Sequence, residues 1–238
     1  MLYIKKSQPS KEAVNEINRV RREQKALLEK RDHQIARKAF DCLDKAIIRK
    51  NLIKEQHGLC GYCMRRIEDN SNTTIDHWEP IDKNVDGALD YGNMLGVCDG
   101  GSKVKEADIE DGRRILCCDA AKGNQEITIS PYNKSHMDKI RYREDGRICT
   151  HPRDEIRERD INDILHLNGE NGLDTSTRLL RGRREAYRSY FDEMRRKGKN
   201  ISRAYIERRI RAIKSKDEYP AFAGVILYLL KRKLREFE

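Results

Sequence analysis

The chain has 238 residues, 37% of them hydrophobic and 38% charged, with a formal net charge of +10. That length holds one large or two small domains, and the charge load suits exposed helices or surfaces awaiting a partner. No apolar run reaches the roughly 18 residues of a membrane span, and Met1 to Lys6 lack the apolar core of a secretion signal, so a cytoplasmic protein with no membrane association is expected. The basic balance, with a pI near 9.2, favours a polyanionic partner such as nucleic acid, because each neutralised phosphate releases counterions.

In chain order, Ser10 to Leu28 carries a thin apolar stripe of Val14, Ile17, Val20, Leu27 and Leu28. Asp32 is placed to cap a better helix, in which Ile35, Ala36, Ala39, Phe40, Leu43 and Ile47 recur at helical spacing on to Leu52 and Ile53. Cys42 lies on that apolar face and reads as a buried small hydrophobe. Faces this narrow are expected to pack on the chain's own core. Gly58 and Gly61 then open a tight loop, and Thr73 to His77 has the composition of a strand.

Tyr91 to Cys98 reads as the start of a helix, and Asp99 to Arg114 as a charged, glycine-bearing surface insert. Ile127 to Pro131 and Ile140 to Cys149 read as strands, the latter a hairpin turning at Asp145-Gly146. Cys149, alone in that hairpin, reads as structural. From Asp160 onward the pattern is helical: Asp174 or Thr175 is placed to cap a long basic helix, and Pro220 to begin the last one. Arginines on the long helix, Arg183 and Arg184 among them, are candidate phosphate contacts.

Five of the seven cysteines lie between Cys60 and Cys118. In a chain without a secretion signal, such clustering around Cys-x-x-Cys reads as metal ligation rather than disulfide bonding. Cys60 and Cys63 supply half of a tetrahedral zinc site, and Cys98, Cys117 and Cys118 are available for the other half. Cys98 with Cys118 is the preferred pair, with Cys117 as the alternative.

Zinc alone does not make an enzyme, but Asp76-His77 adds chemistry. Adjacent strand residues point to opposite faces, so Asp76 can hold a divalent cation while His77 meets the attacking water. A neutral imidazole suits a general base near neutral pH. Asp119 can complete an oxygen-rich site for Mg²⁺ or Mn²⁺. Lys122 is a candidate phosphate contact, whereas Tyr62 and Trp78 are expected to pack the module. The stretch His77-Trp78-Glu79 also matches the opening of a zinc deaminase motif, but the Cys-x-x-Cys pair then lies on the wrong side of it. A non-catalytic zinc ribbon that binds nucleic acid accounts for the cysteines and leaves Asp76, His77, Asn93 and Asp119 without a task.

Cys60-x-x-Cys63, Asp76-His77, Asn93, Cys98 and Cys118-Asp119-x-x-Lys122 together resemble the HNH endonucleases. The resemblance implies a ββα-metal fold with a four-cysteine zinc, inside an α+β, mostly helical chain. The resemblance covers roughly Gln56 to Pro131, and with the helical spacing of the flanks the expected division is a helical arm over 1–55, a nuclease module over 56–135, and a hairpin with a helical region over 136–238. It also implies roles: Asp76 and Asp119 as catalytic-metal ligands, His77 as general base, and Asn93 as the brace that orients that base. Asp119 stands where the family often has His or Asn, and the insert between Cys98 and Cys118 departs from the usual close cysteine pair.

Asp76-His-Trp-Glu-Pro80, Asn93-Met-Leu-Gly-Val-Cys98, Cys118-Asp-Ala-Ala-Lys-Gly123 and Leu167-Asn-Gly169 are further similar to PtuB, the HNH subunit family of Septu-type and retron-associated anti-phage systems. That likeness implies a toxic effector nuclease, with DNA favoured as substrate and RNA, including tRNA, as the alternative. It also implies a PtuA-like ATPase of the ABC/SMC type as partner, and in retron versions a reverse transcriptase with its RNA–DNA hybrid.

Overall fold

The computed structural model describes residues 1–109 and 112–238, so residues 110 and 111 of the insert lie outside it. The fold is α+β and mostly helical, with two small two-stranded antiparallel sheets. Four helices come first: α1 (Lys11–Glu23), α2 (Lys25–Leu28), α3 (His33–Asp41) and α4 (Lys45–Glu55). Ser10 caps α1 by accepting from the Ala13 amide, and Asp32 caps α3 by accepting from those of Gln34 and Ile35.

The expected single helix beyond Asp32 is two, because Asp44 caps α4 through the Ala46 amide and restarts the chain. Cys42 falls at that joint and is exposed, against the expectation of burial. Val14 and Leu27 are exposed too, leaving Ala13, Ile17 and Val20 as the buried face of α1. These side chains join Phe40, Ile48, Leu52, Leu89 and Met94 in one apolar cluster, which docks the helical arm on the central module.

That module is built on β1 (Thr73–His77) paired antiparallel with β2 (Met94–Cys98), His77 opposite Met94 and Asp76 opposite Leu95. The expected helix at Tyr91 to Cys98 is instead a short 3-10 turn followed by this strand. Every residue of β2 is buried, and a short run apolar on both faces has no periodicity to separate strand from helix. Gln56 covers the strand's far edge: its amide donates to the Gly96 carbonyl at 2.6 Å and accepts from the Gly96 amide at 2.7 Å. The module closes with α5 (Asp119–Lys122), giving the order ββα.

Next come α6 (Lys134–Asp138) and a hairpin of β3 (Ile140–Tyr142) with β4 (Ile148–Thr150), as expected around Asp145-Gly146. Gly146 has φ 87°, and a β-carbon there would lie 2.1 Å from the Leu180 carbonyl oxygen, so the turn requires glycine. Ile127 to Pro131 forms no strand. Its amides go to a side chain instead: buried Asp160 accepts from the Thr128 and Ile129 amides at 2.6 and 2.8 Å.

The C-terminal part holds α7 (Glu155–Arg159), α8 (Leu179–Lys197), α9 (Arg203–Lys214) and α10 (Ala223–Leu234). Asp174 and Thr175 do serve α8, from upstream of its first turn. Thr175 accepts from the Leu179 amide, and Asp174 from those of Leu180 and Arg181. The last helix starts at Ala223, after Phe222 in the left-handed region, rather than at Pro220. A second, larger apolar cluster runs from Ile4 through the cysteine knuckle and the hairpin to α8, α9 and α10. No helix among the described residues is long and apolar enough to cross a membrane.

Candidate functional site

Four cysteine sulfurs converge at the base of the ββα unit. Cys60 and Cys63 come from the knuckle after α4, Cys98 ends β2, and Cys118 immediately precedes α5. The knuckle is tied by the Cys60 amide to the Arg65 carbonyl (2.8 Å), and to the sheet by the Gly61 amide on the Gly96 carbonyl (3.0 Å). The Sγ atoms of Cys60, Cys63, Cys98 and Cys118 all lie within 4.8 Å of one another and are buried. Individual separations are 3.9 Å for Cys60–Cys118, 3.7 Å for Cys63–Cys98 and 3.8 Å for Cys98–Cys118. Thiolates about 2.3 Å from a tetrahedral zinc sit about 3.8 Å apart, so the set has the dimensions of a structural zinc site.

Cys117 is not among the four; its sulfur faces the Thr177 hydroxyl at 3.4 Å. The insert is cinched at its base, where the Cys117 amide donates to the Gly100 carbonyl at 2.9 Å. Cys118 can therefore meet Cys98 in space although the insert separates them in sequence. It adopts φ 56°, an unusual backbone for a residue with a β-carbon.

The second group lies on β1 and the helix that follows Cys118. Asp76 is buried, accepting from the Tyr62 hydroxyl at 2.6 Å on Oδ2 and from the Lys122 ammonium at 3.1 Å on Oδ1. Lys122 also donates to the His77 carbonyl at 2.8 Å and is 1% exposed, so its ammonium is held inside the site and not offered to phosphate as expected. Asp119 stands beside Asp76, and its carboxyl is pushed up to about 7 by burial first and by the neighbouring Asp76 carboxylate next. The Asp76 carboxylate thus makes ionisation of Asp119 costly, and a divalent cation between the two would relieve that cost. This donor set, all oxygen and partly open at Asp119, fits Mg²⁺ or Mn²⁺ better than zinc.

His77 projects to the other face of β1. Its Nε2 lies 2.9 Å from the Ala88 carbonyl oxygen, and since a carbonyl only accepts, that nitrogen carries the proton. The edge-on ring of Phe40, 4.6 Å away between centroids, steadies the imidazole. Burial, as the largest influence, holds His77 below the ordinary imidazole value. Asn93 pins the intervening loop at both ends. Its Oδ1 accepts from the Glu79 amide at 2.8 Å, and its Nδ2 donates to the Glu79 carbonyl at 2.9 Å and to the Gly87 carbonyl at 3.4 Å.

Of the remaining candidates, Trp78 packs in the module and donates to the Ile129 carbonyl, and Tyr62 is fully buried. Arg183 is not at the surface: it is fully buried and bonds the Gly146 and Leu167 carbonyls, so it holds the hairpin turn to α8 and cannot meet nucleic acid. Arg184 is exposed. The Tyr62 hydroxyl and the Ala88 carbonyl complete the site, and neither was expected there. The position of Tyr62 inside Cys-x-x-Cys was the available signal for the first, whereas a main-chain oxygen leaves none.

A zinc-sized thiolate cluster thus lies beneath a ββα unit that presents Asp76-His77. Residues 60–99 match the family model described as HNH endonuclease, from the first knuckle cysteine to just past β2. The chain thus carries an HNH endonuclease domain with a four-cysteine cluster. The match ends before Cys118, Asp119 and Lys122, which the fold itself brings to the site. No curated protein matches the chain.

Proposed function

We propose that this protein is a metal-dependent endonuclease that hydrolyses phosphodiester bonds in nucleic acid. The observation that carries the reading is the hydrogen bond from His77 Nε2 to the Ala88 carbonyl. It leaves Nδ1 as the one lone pair of the ring, fixed in orientation and basic at neutral pH. Nδ1 takes a proton from water as the water oxygen bonds to phosphorus and the P–O3′ bond breaks. Asp76 and Asp119 would hold the Mg²⁺ or Mn²⁺ ion, which when bound supplies positive charge to the phosphate oxygens and the departing 3′-oxygen. Lys122 holds Asp76 in place, and Asn93 keeps the Glu79–Ala88 loop, and with it the Ala88 carbonyl, in register with His77. The cysteine cluster, filled by zinc, fixes the ends of β2 and α5 against the knuckle.

DNA is the favoured substrate. The chemistry makes no use of a 2′-hydroxyl, so cleavage assays should include structured RNA such as tRNA. The motif likeness to PtuB supports a further reading of the protein as the toxic effector of an anti-phage complex with a PtuA-like ATPase, joined in retron versions by a reverse transcriptase. Purified protein, alone and with such an ATPase, is expected to cut DNA in Mg²⁺ or Mn²⁺. His77→Ala is expected to lose about 10²- to 10⁴-fold in rate with zinc content and circular dichroism unchanged. Wild-type protein that cuts neither DNA nor RNA under these conditions contradicts the proposal.

A further inference from the structure

A cavity of about 560 Å³ lies between the N-terminal segment, the β3–β4 hairpin and the ends of α9 and α10. It shares no lining residue with the cysteine cluster or with Asp76, His77, Asn93 and Asp119. Six cationic side chains line it: Lys134, Arg141, Lys214, Lys231, Arg232 and Arg235. They come from α6, β3, the last turn of α9 and the end of α10, so folding and not a local basic run gathers them.

Against these stands one acid, Asp138, already paired with Lys134 at 2.6 Å. Arg141 is tied to the carbonyls of Asp138 and Ile140. Among the described residues no carboxylate pairs with Lys214, Lys231 or Arg235. Like charges around one hollow repel, and Lys231 shows it, being held below the ordinary lysine range by burial first and by Lys214 next. An anion seated in the hollow relieves that repulsion and gains from low-dielectric walls that focus the field.

The rest of the lining decides what kind of anion. Tyr3, Tyr219 and Tyr228 stand beside an apolar floor of Met137 and Leu227. Tyr219 already has one face stacked on His57 at 4.0 Å, whereas Tyr3 is 44% exposed. Aromatic faces beside clustered cations are the pairing by which proteins hold a base and its phosphate together. The volume is within the usual range of small-molecule sites, roughly 300–1,000 Å³. We infer that this cavity binds a nucleotide, with its phosphates on Lys214, Lys231 and Arg235 and its base against Tyr3 and Tyr228. The nucleotide is either free or the 5′-phosphorylated end of a strand.

The test is equilibrium binding to the full chain without added divalent cation, so that no strand is cut. The probes are ATP, a short 5′-phosphorylated oligonucleotide, inorganic tripolyphosphate and a poly-glutamate peptide. Saturable ATP binding is expected, weakened about tenfold or more by Lys231→Glu and by Lys214→Glu, each removing a charged contact. Both lysines reach solvent, Lys231 with its ammonium partly sunk in the hollow, and Lys231→Ala serves where charge reversal disturbs folding. Tyr3→Ala is expected to weaken ATP and leave tripolyphosphate unchanged. An oligonucleotide that displaces ATP and binds more tightly identifies a strand end, and ATP binding that the oligonucleotide leaves untouched identifies a free nucleotide. The inference is overturned by the absence of saturable ATP binding, by equal binding in the charge variants, by tripolyphosphate binding as tightly as ATP, or by preference for poly-glutamate. It does not rest on the nuclease reading, since none of these variants touches the His77 group.

Discussion

Cys118 and Asp119 are adjacent in the chain, yet they belong to two clusters of opposite character. The four sulfurs are buried, drawn only from cysteine, and spaced for a tetrahedral ion. The Asp76–His77–Asp119 group mixes oxygen and nitrogen donors, encloses the buried ammonium of Lys122, and opens toward solvent at Asp119. A closed, saturated thiolate set contributes folding free energy, whereas an open, charge-strained oxygen set keeps positions for water and substrate. The ββα unit thus sends Cys118 and Asp119, neighbours at the start of α5, to two different clusters: one shared with Cys98 at the end of β2, the other with Asp76 on β1.

The largest effect should come from breaking the thiolate side. Cys98→Ser, or a strong chelator, should release zinc and unfold the module, removing a binding free energy of order 10 kcal/mol. Loss of helical signal and of cleavage together, in one transition, is the expected result. If the fold survives without zinc, the cluster is not the staple described.

On the reactive side, pH offers a smaller and graded effect. His77 must be neutral to accept a proton, and burial holds it below its ordinary value of 6.5. With Mg²⁺ or Mn²⁺ saturating, so that Asp119 stays ionised, the acidic limb set by His77 should therefore lie below pH 6.5. Stability has the same sign: the unfolded imidazole takes up a proton as pH falls through 6.5 and the buried one resists, so stability is lost on the acid side. A limb well above that value would place the essential base elsewhere.

The smallest effect sharpens the boundary between the clusters. Cys117 faces Thr177 and lies outside the four sulfurs, so Cys117→Ser should leave zinc content intact and cost about 1 kcal/mol or less. Zinc loss in that variant would exchange the roles of Cys117 and Cys118.

What could be read from the sequence divides along physical lines. Features announced by side chains were legible: the Asp32 cap, the Asp145-Gly146 hairpin and the cysteine spacing all appear in the fold. Features that depend on what lies across the chain were not. β2 is apolar on both faces because α4 and the knuckle cover it, and that erases its period. The amides of Thr128 and Ile129 look ready for a ladder until Asp160 claims them. Arg183 resembled its basic neighbours on α8, yet it stands four and three residues after Leu179 and Leu180, on the buried stripe that continues to Tyr190 and Met194. That spacing was its signal. The orientation of His77 depends on the main chain at Ala88, for which a sequence has no letter.

The most direct test of two adjacent sites with separate tasks is Asp119→Ala, assayed in one preparation for zinc by elemental analysis and for Mg²⁺- or Mn²⁺-dependent cleavage. The account predicts zinc content and thermal stability like the wild type, with cleavage reduced by about two orders of magnitude or more, as for removal of a charge-stabilising group. Zinc lost along with activity, or full cleavage with zinc retained, would contradict it.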